Sequence, residues 1–300
     1  MKKAFSLVEL LVVIGILAIL MGVLVVTTSG GTESARAARC LTNMRNLATA
    51  CNTAALSRET YPLAGSAEVK DMSGGVRESR GWVSWDSRDA YTENGGTATE
   101  HKARIGWFTS AYCDNDEVRI YALTNGAIWK SVSGNADVFV CPAHRRTMKS
   151  LNPIWSYVMN ERFGYDRTLG AYALRSVGIE YGKLSRADRT LMFAEMQFLA
   201  NDKIEVDTDS SAGIKNDCTL QYGQKEVIGC NHPNGKLGLS AHVAFADCHV
   251  EKLTVPATKG SRGWSLSIGR SDLEDLTKWL CEGKDVTFNS KTKKYEEFKK

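Results

Sequence analysis

The residues of this 300-residue chain best able to do chemistry are its eight cysteines and five histidines, as nucleophiles, disulfides or metal ligands. Their spacing argues against most of those uses. No C-x-x-C pair, H-E-x-x-H helix or G-x-S-x-G elbow occurs. Histidine and cysteine do gather in HVAFADCHVEKL (His242–Leu253), where two apolar-containing arms meet at Asp247-Cys248 like a hairpin with a two-residue loop. In that register Phe245 faces Val250 as a core pair, and His249 lies opposite Ala246. His242 and His249 are then roughly 13 Å apart along the strand, too far to share one zinc. Cys248 and His249 are adjacent and point to opposite faces. Neither a zinc site nor a Cys–His nucleophile is expected. The acidic segments Asp202–Asp209 and Asp114–Glu117 offer oxygens, but Asp207-Thr208-Asp209 lacks the Gly and terminal Glu of an EF-hand, so a solvated acidic loop is expected.

The elements that must carry these residues begin with an anomaly. Overall the chain is ordinary: 43% apolar, 24% charged, net charge +4 and mean hydropathy −0.25. These values exclude wholesale disorder and a multi-span membrane protein, and the charge excess is too small and scattered for nucleic-acid binding. Yet Phe5–Val26 is an apolar run interrupted only by Ser6 and Glu9. As a helix it spans roughly 33 Å, enough for a bilayer core of about 30 Å. Lys2 and Lys3 precede it, which places the N-terminus in the cytoplasm and residues 27–300 outside. A discarded secretory signal fits less well, because the run is too long and contains Glu9.

Past the apolar run, Ala35, Ala38, Leu41, Met44, Leu47, Ala48, Cys51 and Ala55 continue a helical stripe, with Arg36, Arg39, Arg45 and Arg58 mostly off it. Gly30-Gly31 predicts a break, and Pro62 predicts that the helix is finished by about residue 58. Residues 64–104 contain no Leu, Ile or Phe and read as a long surface excursion anchored by Trp82 and Trp85. Asn125–His144 reads as a short helix, a turn at Gly134-Asn135 and a strand ending at Cys141-Pro142. Ser156–Asn160 and Arg189–Glu195 read as short strands. Ser271 and Glu274 form a capping box for a helix at about 272–282, closed by Gly283. Lys291–Lys300 reads as a solvated end.

The string AFSLVELLVVIGILAIL resembles the class III signal of type IV pilins and type II secretion pseudopilins. The resemblance implies a cut between Ala4 and Phe5, an N-methylated Phe5, and an assembly role for Glu9 as the fifth mature residue. Ala4 stands where the family usually has Gly. From residue 125 to 253 the landmarks resemble large pilin-like proteins with a C-terminal H-x9-D-G motif: Cys141-Pro142, S-Y-V-M-N, a strand ending in Glu195, then Phe245, Asp247 and His249. Three departures stand out. Leu237 occupies the spaced His position, with His232 the nearest upstream histidine; His242 replaces an Asn; Cys248 replaces the turn Gly. No defined role attaches to this motif.

The expected fold is therefore α+β and pilin-like. Residues 1–4 form a leader, 5–58 a helix whose N-terminal half is transmembrane, and 59–300 an extracytoplasmic head with an antiparallel sheet. The resemblance implies a structural subunit, not an enzyme, of a type II secretion pseudopilus or a type IV pilus-like filament. Its partners would be a prepilin peptidase, other pilin or pseudopilin subunits, an assembly ATPase and an inner-membrane platform protein. The large head leans towards a minor or tip component. The competing reading is a membrane-anchored extracytoplasmic binding protein or enzyme that retains a pilin-type leader. No cofactor is expected, although major pseudopilins hold calcium in a C-terminal loop, which keeps calcium open here. Eight cysteines in an exported head suit disulfides. Cys40 and Cys51 are about 16 Å apart on one helix and cannot pair, whereas Cys230 and Cys248 flank the first hairpin arm and are the pair expected.

Overall fold

The computed structural model describes residues 7–64, 69–70, 76–77, 81–83, 112–113, 123–124, 126–147, 152–164, 179–199, 201–202, 218–222, 226–261 and 263–298. Helix α1, Leu7–Arg58, is a single helix of 52 residues. It runs through Gly30-Gly31, where a break was expected. Glycine weakens a helix by about 1 kcal/mol but keeps its backbone hydrogen bonds, so helix on both sides carries the pair through. The helix stops at Arg58, followed by Glu59 in a left-handed conformation (φ 61°) and by Pro62.

Burial divides α1 in two. Ala35 and Ala38, expected on the packed stripe, are exposed. Burial starts at Cys40 and continues through Asn43, Met44, Leu47, Ala48, Cys51, Ala54 and Ala55, the i, i+3, i+4 pattern of one face laid on a core. Towards the N-terminus, Leu7, Val8, Leu10, Leu11, Val12, Val13, Ile14, Ile16 and Leu17 are all exposed. Among the described residues, no helix is long and apolar enough to cross a membrane. The expected span includes residues 5–6 and the side chains of 19–26, which lie outside the described residues.

Two short antiparallel pairs precede the main sheet: β1 (Val69–Lys70) with β2 (Val76–Arg77), and β3 (Tyr112–Cys113) with β4 (Asn152–Pro153). The main sheet uses β5 (Tyr157–Asn160), β6 (Leu191–Glu195), β7 (Thr219–Leu220), β8 (His232–Pro233), β9 (Leu239–Phe245) and β10 (Val250–Val255) in the order β10-β9-β6-β5-β7. β8 pairs with the start of β9, beyond the end of β6. All pairs are antiparallel except β5 with β7, so the sheet is mixed, where an antiparallel one was expected. β5, β6 and β9 are buried along their whole length, as expected of near-continuous apolar runs covered on both faces.

α1 packs on this sheet. Between its elements, Asn135 accepts from the Asp137 amide and starts a 3-10 helix at Ala136–Phe139, where a strand was expected. Pro142 then occupies the first position of α2 (Pro142–Thr147), which its missing N–H favours. Trp82 is the expected anchor of the 64–104 excursion: fully buried, it donates to the Cys218 carbonyl (3.2 Å) and packs edge-on against Phe193. Trp85 and most of that excursion lie outside the described residues.

After β10, a hairpin of β11 (Ala257–Gly260) and β12 (Gly263–Leu266) leads into α3, Arg270–Glu282. The helix starts two residues earlier than its capping box implied. Gly269 is the N-cap and the Asp272 carboxylate accepts from its amide (2.8 Å), while Gly283 closes the helix as expected (φ 75°). Leu273, Leu276 and Leu280 are buried. The described part of the tail is largely exposed, as expected, but its strands are paired. β13 (Val286–Asn289) and β14 (Lys294–Glu297) form a hairpin, and the Tyr295 hydroxyl donates to the Thr254 carbonyl of β10 (3.2 Å).

Candidate functional site

Strand register brings polar side chains together beneath α1. Tyr157 on β5 pairs with Glu195 on β6, and Ala194 pairs with Val243 on β9, so Glu195 falls level with His242. On the other side of that level, His232 of β8 pairs with Ser240. Residues 240 and 242 share one face of β9, so Tyr157, Glu195, His242, Ser240 and His232 project the same way. That face meets Cys40, the first buried residue of the described part of α1.

Cys141 enters from the corner before α2. Ser156, just ahead of β5, fixes that corner: its amide donates to the Phe139 carbonyl (2.8 Å) and its hydroxyl accepts from the Cys141 amide (2.9 Å). Cys40, Cys141, Glu195 and His232 thus converge, each no more than 1% exposed. Their donor atoms all lie within 4.8 Å of one another. Cys40 Sγ donates to Glu195 Oε1 (2.8 Å), His232 Nε2 lies 2.9 Å from the same oxygen, and Cys141 Sγ is 3.5 Å from His232 Nε2. The Tyr157 hydroxyl donates to Cys40 Sγ (3.5 Å). His242 stacks on His232 with centroids 4.1 Å apart, and its Nδ1 lies 3.8 Å from Glu195 Oε2.

The electrostatics follow from burial and these contacts. Burial alone would push the Glu195 carboxyl up, but His232 and His242 outweigh it and hold the group at about 2. Burial pulls His232 down, and Glu195 more than reverses this, to about 10. His242 goes to about 4, because burial exceeds the pull of Glu195. Burial pushes the Cys40 thiol up, reinforced by Cys141. Burial also opposes ionisation of Cys141, yet the contacts with Cys40 and His232 bring it below the ordinary thiol value.

The residues singled out from sequence are divided by the fold. Cys141 and His232 enter this cluster, Pro142 positions Cys141, and Cys40 and Glu195 complete it, although spacing assigned no chemistry to either. Reading of local spacing did not bring them together because the four residues come from four elements far apart in sequence. The only local signals were an acid ending an apolar strand and a cysteine on a buried helical stripe. Phe245, Asp247 and His249 lie instead at the β9–β10 turn. There Phe245 pairs with His249 rather than Val250: the Phe245 amide donates to the His249 carbonyl (2.9 Å) and the rings stack at 4.3 Å. Asp247 Oδ1 is 2.5 Å from His249 Nδ1. The loop holds three residues: the Cys248 amide donates to the Phe245 carbonyl (3.0 Å), and Cys248 closes the turn in a left-handed conformation (φ 74°). Asp247 and Cys248 also line a surface pocket of about 400 Å³ with Asn52, Tyr61 and Tyr181.

Cys230 and Cys248 do not pair. Both are free thiols, as are Cys40, Cys51, Cys141 and Cys281; the side chain of Cys113 lies outside the described residues. Asn231, next to Cys230, bonds Ser240 near the start of β9, while Cys248 follows its end, about 17 Å along the strand. Of the acidic segments considered for calcium, Asp114–Glu117 and residues 203–209 lie outside the described residues. Asp202 accepts from the Leu266 amide (2.9 Å) and the Ser265 hydroxyl (2.8 Å).

At the other end of the molecule, Glu9 sits in the first turn of α1 and is exposed, while Ala4 and Phe5 lie outside the described residues. Residues 1–25 match the prokaryotic N-terminal methylation motif. The match is consistent with a prepilin-type leader and implies processing by a prepilin peptidase and pilin-type assembly. It does not extend to the C-terminal motif. No curated protein and no solved structure matches the chain.

Proposed function

We propose that this chain is a pilin-like structural subunit, a pseudopilin of a type II secretion pseudopilus or a subunit of a type IV pilus-like filament. The observation that carries the reading is α1 itself. Its first residues match the methylation motif, and its N-terminal part exposes large apolar side chains around the helix from Leu7 to Leu17. An apolar surface of this kind requires a cover, either lipid or the helices of neighbouring subunits. Before assembly the helix would sit as a single pass in the inner membrane, with the N-terminus cytoplasmic and the head outside. An assembly ATPase and an inner-membrane platform protein would then act on it.

Glu9 supplies register in this proposal. A carboxylate at the bilayer centre costs about 2.5–3.5 kcal/mol, but Glu9 lies only about 6 Å from the mature end, so the cost there is smaller. Cleavage before Phe5 frees an ammonium at nearly the same depth. When one helix rises about a turn past its neighbour, the new ammonium meets the older carboxylate, and the pair is stronger than in water. Glu9→Gln is expected to insert and be cleaved normally but to fall at least tenfold in sheared filaments or pseudopili. Wild-type incorporation of a cleaved Gln variant would overturn the register role. A wild-type chain never found in such fibres, but turning over a ligand through its head, would favour the anchored-enzyme reading.

A further inference from the structure

We propose that Cys40, Cys141, Glu195 and His232 form a closed, structural zinc site that staples the assembly helix to the head. Two thiols, an imidazole and a carboxylate are ligand types that zinc accepts, and a closed four-ligand set is the pattern of a structural rather than a catalytic site. A tetrahedral Zn²⁺ with bonds of about 2.0–2.3 Å separates its donors by about 3.2–3.8 Å. The three donor contacts here are 2.8, 2.9 and 3.5 Å, and all four atoms fall within 4.8 Å, so shifts of well under 1 Å would seat the ion.

Two further observations point to a cation. Glu195 is fully buried, and its Oε2 has no hydrogen-bond partner. A buried carboxylate with half its lone pairs unmet is costly, whereas a divalent ion at the centre of the cluster would neutralise it. The donors also have outer contacts that would hold them: Tyr157 on Cys40, stacked His242 on His232, and the Ser156 clamp on the Cys141 corner.

Binding requires no redox step. The ion takes the Glu195 carboxylate as it is, while the His232 imidazolium and the two thiols lose their protons to solvent as the Zn–N and Zn–S bonds form. The four ligands come from α1, the α2 corner, β6 and β8. Cys40 sits where α1 first enters the head, so the ion would fix the angle at which the stem leaves it.

The test uses the full chain, purified in detergent without a metal-binding tag. Elemental analysis and native mass measurement should give about one zinc per chain. Replacement by Co²⁺ should produce a thiolate-to-cobalt charge-transfer band. Cys40→Ser, Cys141→Ser and His232→Gln should each lower zinc at least tenfold, and Cys248→Ser should not. Because substitutions in the core can impair folding, the wild type supplies an independent reading: denatured without reductant, Cys40 and Cys141 must alkylate as free thiols. A Cys40–Cys141 disulfide, a folded metal-free wild type, a different metal in stoichiometric amount, or full zinc in folded Cys40→Ser and Cys141→Ser variants would each overturn the proposal. None of these outcomes bears on filament entry, which Glu9→Gln tests separately.

Discussion

His144 shows how one buried side chain sets a response to acid. Its Nδ1 lies 2.8 Å from the Ser156 hydroxyl, and its ring stacks on Phe198 with centroids 4.4 Å apart. Burial lowers its pKa to about 3, against a weaker upward pull from Glu195. An unfolded histidine titrates near about 6.5, so between these values the unfolded chain holds a proton that the folded chain does not. The stability contribution is therefore complete above about pH 6.5 and declines as pH falls towards 3, by up to about 1.4 kcal/mol per pH unit. His144→Phe keeps a stacking ring and removes the titration. Urea unfolding at pH 7 and pH 4.5 should show a smaller loss in the variant than in the wild type; equal losses would refute a buried neutral His144.

Among the elements, the β9–β10 hairpin carries the clearest local conflict. Cys248 adopts φ 74°, a left-handed conformation that costs a residue with a Cβ about 1–2 kcal/mol. Its compensation is modest: Asn52 on α1 donates to the Ala246 carbonyl (2.9 Å) and reaches Cys248 Sγ (3.2 Å), which ties the turn to the helix. Cys248→Gly relieves the strain and leaves the Asn52–Ala246 bond in place. It should raise the melting temperature by about 2 °C or more, and Cys248→Val, β-branched, should lower it. A destabilised Gly variant would mean that the thiol contributes more than the backbone strain costs. Asn43 plays a role parallel to that of Asn52, donating to the carbonyls of Asp137 and Val140 (3.2 and 3.0 Å) and seating the corner that presents Cys141.

At the scale of the whole molecule, α1 serves two surroundings at once. Its stretch from Cys40 to Ala55 belongs to the core of the head, and its first turns present apolar side chains outward. Processing acts on that outward end. The mature chain is expected to begin at Phe5, which removes Lys2 and Lys3 and takes the side-chain charge from the present +4 to +2. N-terminal sequencing checks this directly: a start at Met1 or beyond residue 26 would contradict it. Ala4→Gly should speed the cut, because it removes the one methyl by which this leader departs from the pattern it resembles.

The sequence by itself determined the features governed by local pattern. The apolar run with Glu9, the end of α1 near Pro62, the strands at Tyr157–Asn160 and Leu191–Glu195, the Gly283 cap and the existence, though not the register, of the β9–β10 hairpin are all written in periodicity, caps and breakers that act within a few residues. Where short-range signals compete, the sequence misleads. Gly30-Gly31 does not break a helix supported on both sides, and an Asn135 cap turns an apparent strand into a 3-10 helix. Only the tertiary structure decided that Cys40, Cys141, Glu195 and His232 meet, and that Cys230 and Cys248 do not. Such contacts depend on strand register and on the azimuth of α1 over the sheet. A one-residue slip of a strand would point the same side chains the other way, and one of the helix would turn them by about 100°; no spacing along the chain records that choice.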